Sequence, residues 1–390
     1  MRASEITAYM QGLATTVFWT CSALLLYLYV LYPPLVRLLA ARFGVPVARG
    51  TNLPTITIIV TAYNEEKSIL AKLSNLAGLE YPSSLFNVLV ASDGSTDRTE
   101  ELVAGYDPQQ VSVLRVEGRQ GKTACQNAAA AAAAGEILIF TDATTELDPG
   151  AARRLVENLA DPTVGCVAGC LVYVTRGENA TGRGGEAYWD YEVRLRAAES
   201  AFGSLIGVSG CLYAVRRSAY RPIDPGLISD FVIAMSMREQ GLRTVLATDA
   251  ACYEETLGKG GHELAMRVRV ALRSLNALVR QRRFLNPFRY GRFAWQLWSH
   301  KGLRYASPLL WLAALVANVE LASHPVYLLL LVGQLTVIGA GVVGFVLQSQ
   351  RPTLGIFGRP YYLLLTNIAS LIATFRYLKG ERMVTWTPLR

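Results

Sequence analysis

The run Pro54-Thr55-Ile56-Thr57-Ile58-Ile59-Val60-Thr61-Ala62-Tyr63-Asn64-Glu65-Glu66 decides how the rest of the chain is read. Its first part is β-branched and apolar without alternation. That pattern predicts a strand buried on both faces, as in a parallel sheet. At Asn64-Glu65 it turns polar, and a helical stretch follows from about Lys67 to Gly78. The same change repeats downstream. Asn87 to Ala91 predicts a second strand, ending in Ser92-Asp93-Gly94-Ser95-Thr96-Asp97, with a helix from about Arg98. Val111 to Val116 predicts a third strand, followed by Gly118-Arg119-Gln120-Gly121-Lys122-Thr123 and an alanine-rich helix to Ala134. Glu136 to Thr141 predicts a fourth, ending at Asp142-Ala143-Thr144-Thr145. Alternating strands and helices imply a mostly parallel sheet with helices on both faces.

The acids stand in one place in this pattern. Asn64-Glu65, Asp93 and Asp142 each lie just past the carboxyl end of a strand, the edge where open α/β sheets bind ligands. Singly, Asp93 and Asp97 read as turn and helix-cap residues. Together, the acids are costly to gather unless a cation or polar ligand uses them. Gly121-Lys122-Thr123 is not a P-loop: that motif needs glycine five residues earlier, where the chain has Val116.

Working outward, the chain's 390 residues are 52% hydrophobic and only 17% charged, with a formal charge of +8. About 25% charged residues is usual for a soluble domain. This composition excludes a disordered or ordinary soluble protein. The apolar excess sits at the ends. Ile6 to Val36 holds no charge and exceeds the ~20 residues that cross a bilayer. Three further apolar stretches run Tyr305 to Val319, Leu321 to Gln350 and Pro360 to Phe375, the first two able to form a hairpin at Ser323-His324-Pro325. Arg37, Arg42 and Arg49 follow the first span, and Arg289, Arg292, Lys301 and Arg304 precede the second. The positive-inside rule then puts the central domain in the cytoplasm, with the chain multi-pass in the cell (inner) membrane. The expected division is 1–50 helix and linker, 51–260 catalytic domain, 261–300 interfacial helical region and 301–390 membrane helices with a basic tail. The last short stretch either crosses or lies at the interface. Six cysteines without a Cys-x-x-Cys pair, and three histidines, predict no zinc site. The basic residues flank membrane segments and no aromatic-basic recognition motif occurs, so nucleic acid is not an expected partner.

As an ordered set, Thr61-Ala62-Tyr63-Asn64-Glu65-Glu66, Ala91-Ser92-Asp93-Gly94-Ser95-Thr96-Asp97, Gly121-Lys122 and Phe140-Thr141-Asp142-Ala143-Thr144 resemble the membrane-bound family 2 glycosyltransferases, in the cellulose and hyaluronan synthase-like branch. Gly207 to Arg217 resembles that family's acceptor-side segment, and Ile228-Ser229-Asp230-Phe231-Val232 the segment carrying its catalytic carboxylate. The likeness covers about Pro54 to Arg283. It implies the GT-A fold, a Rossmann-like mixed sheet with helices on both faces, plus transmembrane helices at both ends. It also implies an inverting transferase that uses a nucleotide-sugar donor, expected to be a UDP-sugar.

The resemblance implies roles residue by residue. Tyr63, Glu65 and Asp93 would line the nucleotide pocket, with Asp93 on the base or ribose. Lys122 and Arg269 would lie near the diphosphate, and Gly210, Cys211 and Trp189 on the acceptor side. Asp142 matches the first aspartate of the Asp-x-Asp metal motif, so Mg²⁺ or Mn²⁺ is the expected cofactor. Thr144 stands at the motif's third position, where a hydroxyl or water would complete the shell. Asp230 matches the base that takes the acceptor's proton, with Ser229 replacing the usual preceding glutamate. Read without the resemblance, Asp230 caps the helix Phe231 to Arg238.

The helix from about His262 to Arg283 is amphipathic, with Leu264, Val268, Ala271, Leu272, Leu275 and Val279 at helical spacing, and is expected on the inner leaflet. It keeps only Arg269 of the Gln-x-x-Arg-Trp motif of processive members. Two acceptors are compatible with these features: a growing polysaccharide, or a lipid-linked acceptor at the bilayer. A homo-oligomer would supply a channel that four apolar segments do not. Thr144 and Ser229 also suit an inactive nucleotide-sugar-binding scaffold that regulates a partner enzyme.

Overall fold

The computed structural model describes residues 3–174, 180–255, 260–347 and 355–383. Helix α1 (Ala3–Leu26) continues through a π-turn (Tyr27–Leu31) into α2 (Tyr32–Phe43). The first span is thus longer than Ile6 to Val36, and the π-turn falls just before Pro33 and Pro34, whose missing N–H groups interrupt the regular helical bonding.

The central domain then runs β1 (Ile56–Ala62), α3 (Ile69–Ala77), β2 (Phe86–Ser92), α4 (Thr99–Ala104), β3 (Val111–Arg115), α5 (Lys122–Ala132), β4 (Ile137–Asp142), β5 (Glu146–Leu147), α6 (Ala151–Asn158), β6 (Val164–Val174), α7 (Ala180–Phe202), β7 (Leu212–Arg216), α8 (Ser229–Glu239) and β8 (Arg243–Glu255). The chain continues as α9 (Gly260–Arg280), α10 (Pro287–Tyr290), α11 (Arg292–Leu297), a π-turn (Trp298–Gly302), α12 (Leu303–Glu320), α13 (Pro325–Leu347) and α14 (Gly355–Leu378).

Among the described residues the strands form one sheet in the order β3-β2-β1-β4-β7-β6-β8-β5. Its first half is parallel, with Thr61 opposite Ala91 and Asp142. Its second half is not: β7 runs antiparallel to both β4 and β6, so the sheet is mixed. The apolar runs already accounted for the parallel half. The antiparallel half depends on where a long connection returns, which no local pattern encodes.

β1 is buried along its whole length because both faces are covered. Ile59 points into one core with Phe140, Tyr213, Phe231 and Ile233. Ile58, Val60 and Ala62 point into the other with Leu73, Leu76, Leu155 and Val245. Each fully buried aliphatic side chain contributes about 1.5–3 kcal/mol.

Three helical stretches among the described residues are long and apolar enough to cross a membrane: Glu5–Phe43, Arg292–Glu320 and Pro325–Leu347. The second and third form the expected hairpin, turning between Glu320 and Pro325. α14 falls outside that set. It packs on α9 through Ala373 against Ala271 and Leu272, and Leu264 packs on Tyr361 and Tyr362. The Arg267 guanidinium lies 4.3 Å from the Tyr362 ring. Much of the apolar stripe of α9 is therefore covered by protein, where the amphipathic pattern alone suggested lipid. Ser307 Oγ donates to Asn367 Oδ1 (2.7 Å) and accepts from Tyr29 Oη (3.1 Å), which ties the first span, α12 and α14 together.

The ends of the first two spans meet the domain in a buried charged cluster. Glu199 on α7 accepts from Tyr32 Oη (2.6 Å) and lies 2.8 Å from His300 Nδ1. His300 Nε2 is 3.2 Å from Glu192, whose other oxygen accepts from Arg304.

Candidate active site

Two loops are fastened before any functional group is placed. Asn64 takes a left-handed conformation (φ 55°), which asparagine tolerates better than most residues. There its Oδ1 accepts from Thr96 N (2.8 Å), and its N–H donates to Ser95 Oγ (3.1 Å). The loops after β1 and β2 thus lock together. Glu65 is buried and accepts from Ser68 Oγ, while its N–H donates to Thr99 Oγ1 (2.8 Å). Tyr63 faces the loop before α5, with the Arg119 guanidinium 4.2 Å from its ring.

Asp93 is fully buried. Its carboxylate accepts from Gln120 N (2.7 Å) and Gly121 N (3.0 and 3.1 Å). Gly121 has φ 93°, a conformation that side chains resist, so glycine is needed where the backbone turns to meet Asp93. The Asp-Gly-Ser segment therefore shapes the start of α5 and aims the next residue, Lys122.

Lys122 is the hub. Its Nζ donates to Asp142 Oδ1 at the end of β4 and to Gly210 O (3.1 Å) in the loop before β7. Burial works against the Lys122 charge, but the adjacent Asp142 carboxylate outweighs it and raises the ammonium above its ordinary range. Thr61 Oγ1 is 3.5 Å from the same Asp142 oxygen.

Gly210 also borders Asp230. A methyl group at Gly210 would lie 3.0 Å from Asp230 Oδ2 and 3.2 Å from Lys122 Nζ. Asp142, Lys122, Gly210 and Asp230 thus meet at one point; of the strand-end acids, Asp142 stands there, while Asp93 holds the turn that precedes Lys122. Asp230 lies in the first turn of α8, whose N-cap is Ile228. It does not cap that helix; its backbone carbonyl accepts from Val208 N (2.7 Å). Burial pushes its carboxyl above the usual aspartate range, against the pull of Lys122, Arg273 and Lys301 and with the push of Asp142. A carboxylate so placed, without a hydrogen bond from any described residue, is available to a hydroxyl.

Cys211 Sγ lies 3.7 Å from Glu254 Oε2. Burial, then the Asp142 charge, raises the Glu254 carboxyl. Behind β4, Lys72 is buried and donates to Thr141 Oγ1 (2.9 Å) and Thr145 O (2.6 Å). Burial lowers its pKa to about 8. Sequence reading missed Glu254 and Lys72. Lys72 falls on the apolar stripe of α3, a lysine where the spacing calls for a hydrophobe, and that was a usable signal. Glu254 offered none, since its strand comes near Asp142 only by pairing with β5 and β6, far from it in sequence. Thr144 is exposed in the turn after Asp142. Arg269 is partly buried on α9 and feels the Asp142 charge. Trp189 belongs to α7, but its side chain lies outside the described residues.

No group of three or more His, Cys, Asp or Glu side chains among the described residues forms a metal cage. Mg²⁺ and Mn²⁺ do not need one beside a diphosphate, since one or two carboxylates plus phosphate oxygens suffice. Asp142, part-exposed with Thr144 beside it, fits that minimal donor set.

The comparisons agree with this architecture. Residues 57–223 match the sequence model of the family described as Glycosyl transferase family 2. An N-acetylglucosaminyltransferase of Rhizobium meliloti is 31% identical over 219 residues, 51% of this chain and 50% of that protein. A beta-monoglucosyldiacylglycerol synthase of Nostoc is 30% identical over 43% of this chain and 37% of its own length. A poly-beta-1,6-N-acetyl-D-glucosamine synthase of Staphylococcus aureus is 25% identical over 55% of this chain and 57% of its own. The matches thus span roughly half the length of these relatives, or less. The solved structure of a mannosyltransferase from Pyrobaculum calidifontis, in complex with GDP-Man and Mn²⁺, superposes with a TM-score of 0.71. It covers 96% of this chain and all of that one at 23% identity, so the likeness is one of fold. Residues 57–223 accordingly match the glycosyltransferase family 2 model, within a chain of GT-A-like fold that carries, among the described residues, three helices of membrane-spanning length.

Proposed function

We propose that the chain is a membrane-bound, inverting glycosyltransferase that moves a sugar from a nucleotide diphosphate donor to a saccharide or lipid-linked acceptor at the cytoplasmic face. The observation that carries this reading is the meeting of Asp142, Lys122 and Asp230 at one point, bridged by Gly210. Tyr63, with Arg119 over its ring, would form a wall for the base, and Asp93 would shape that pocket through the Gly121 turn.

The chemistry follows from charge. As the acceptor oxygen bonds to the anomeric carbon, the bond to the diphosphate breaks and its electron pair leaves with the nucleoside diphosphate. Lys122 and Arg269 would hold the diphosphate oxygens where that charge develops. Asp230, on the opposite side, would take the hydroxyl proton, so the anomeric configuration inverts. A divalent cation, when bound, neutralises charge on the leaving phosphates, and Asp142 with Thr144 would hold it. The expected placement is multi-pass in the inner membrane, with 51–260 as the catalytic domain, flanked by the 1–50, 261–300 and 301–390 segments.

A panel of radiolabelled UDP- and GDP-sugars, offered to membranes containing the protein with Mn²⁺ or Mg²⁺, tests the reading. Release of nucleoside diphosphate with label in a larger product supports it. Binding of a nucleotide without any turnover would refute it in favour of a scaffold.

A further inference from the structure

Two cations beside Asp230 are left over once the donor site is accounted for. Arg273 lies one turn beyond Arg269 on α9, and its Nε is buried without a hydrogen-bond partner. Lys301 reaches back from the π-turn Trp298–Gly302 to place Nζ 5.6 Å from the ring of Phe231, the residue after Asp230. Neither side chain forms a hydrogen bond or salt bridge with a described residue. Both exert a field on Asp230. Both side chains are partly buried, and leaving the Arg273 Nε–H buried and unbonded is costly unless an anion takes it. In the proposed reading Lys122 and Arg269 hold the donor's diphosphate, which leaves Arg273 and Lys301 for a second anion.

The depth of the pair narrows the choice. Lys301 lies near the start of the span Arg292–Glu320. Three residues earlier Trp298 is half exposed, with its indole N–H bonded to Leu285 O (3.0 Å). Nearby Phe288 is 99% exposed. Exposed aromatics at the end of an apolar span mark the headgroup level of a bilayer. At that level of a bilayer the anions belong to lipid headgroups.

We propose that Arg273 and Lys301 form an acceptor subsite that takes the phosphate of an anionic lipid headgroup, presenting the headgroup's hydroxyl to Asp230. This rests on the transferase reading and names its acceptor class. The bidentate guanidinium grips the phosphate and Lys301 adds a point charge from the membrane side. The proton of the lipid hydroxyl passes to Asp230 as its oxygen bonds to the sugar, and the nucleoside diphosphate departs.

The test uses the full chain in phosphatidylcholine nanodiscs. Spin-labelled phosphatidylglycerol, which carries both phosphate and hydroxyl, is compared with spin-labelled diacylglycerol, which has the hydroxyl alone. UDP and GDP binding is measured on the same samples. The wild type is expected to hold phosphatidylglycerol about tenfold more tightly, the worth of a charge-assisted contact. Arg273→Gln and Lys301→Gln should each bring the two lipids within about threefold without weakening nucleotide binding, while Arg289→Gln, a membrane-proximal control, should keep the preference. Equal affinities in the wild type, or a preference that survives both substitutions, overturns the proposal. A preference lost equally in the control assigns it to general surface charge and also overturns it. Full displacement of the lipid by glycerol 3-phosphate would assign the subsite to a soluble phosphate ester and overturn the lipid source. Nucleotide binding reports separately: its failure in the wild type refutes the transferase reading, while the lipid preference stands or falls on its own data.

Discussion

Replacing Asp230 by asparagine separates proton abstraction from binding. The amide keeps the side chain's shape beside Gly210 but cannot accept a proton from a hydroxyl. A positioned general base is worth about 10²–10⁴ in rate, or about 3–5 kcal/mol of barrier. Donor affinity should hold or improve, because Lys122, Arg273 and Lys301 lose a competing negative charge. Stability should not fall. The Asp230 carboxyl is raised in the folded state, so the folded protein binds that proton more tightly than the unfolded chain does. Above the folded pKa the buried charge is a liability, relieved as pH falls through it, and the amide removes it at neutral pH. Activity runs the other way: wild-type turnover should drop as pH falls through the raised pKa, above the ordinary value of about 4. The assay is nucleoside diphosphate release against pH, with donor titration and a melting curve on the same preparation. Turnover within about threefold of wild type would remove Asp230 from the chemistry. A loss tracking weakened donor binding or a lowered melting temperature would show it to be structural.

Three further outcomes follow from the geometry. Gly210→Ala places a methyl 3.0 Å from Asp230 Oδ2 and 3.2 Å from Lys122 Nζ; turnover should fall about 10²-fold through misplacement of both groups, with the melting temperature little changed, and an unaffected rate would show that the loop yields freely. Asp142→Ala should weaken Mn²⁺-dependent donor binding about tenfold or more, since a lost cation clamp costs several kcal/mol; equal affinity with and without Mn²⁺ in both proteins would take Asp142 out of any metal site. Glu199→Ala leaves His300 and Tyr32 without their shared partner in a fully buried position, and should cost about 3–5 kcal/mol, read as a lowered melting temperature of the detergent-solubilised protein; an unchanged melting curve would mean the cluster adds nothing to the junction.

What could be read from sequence alone was whatever is encoded locally. β1, β2 and β4 announced themselves as mostly apolar runs because strands covered on both faces need few polar residues until they end, while β3, at the sheet edge, is only partly buried. For the same reason, the change to Asn64-Glu65, Asp93 and Asp142 marked the carboxyl ends of three strands. The apolar ends, and the hairpin between Glu320 and Pro325, followed from length and composition in the same way. Partnership was not legible. Nothing near Asp93 in sequence announced that its carboxylate accepts from the backbone N–H groups of Gln120 and Gly121. The stripe on α9 looked ready for lipid, yet much of it is covered by α14, about a hundred residues downstream. Asp142, Lys122, Gly210 and Asp230 come from four separate segments, and only the antiparallel return of β7 beside β4 brings the last two to the first. Local chemistry selects helices, strands and their polar ends, because those depend on a few neighbouring residues. Which charge faces which depends on chain reversals far apart in sequence, and only the packed structure decides it.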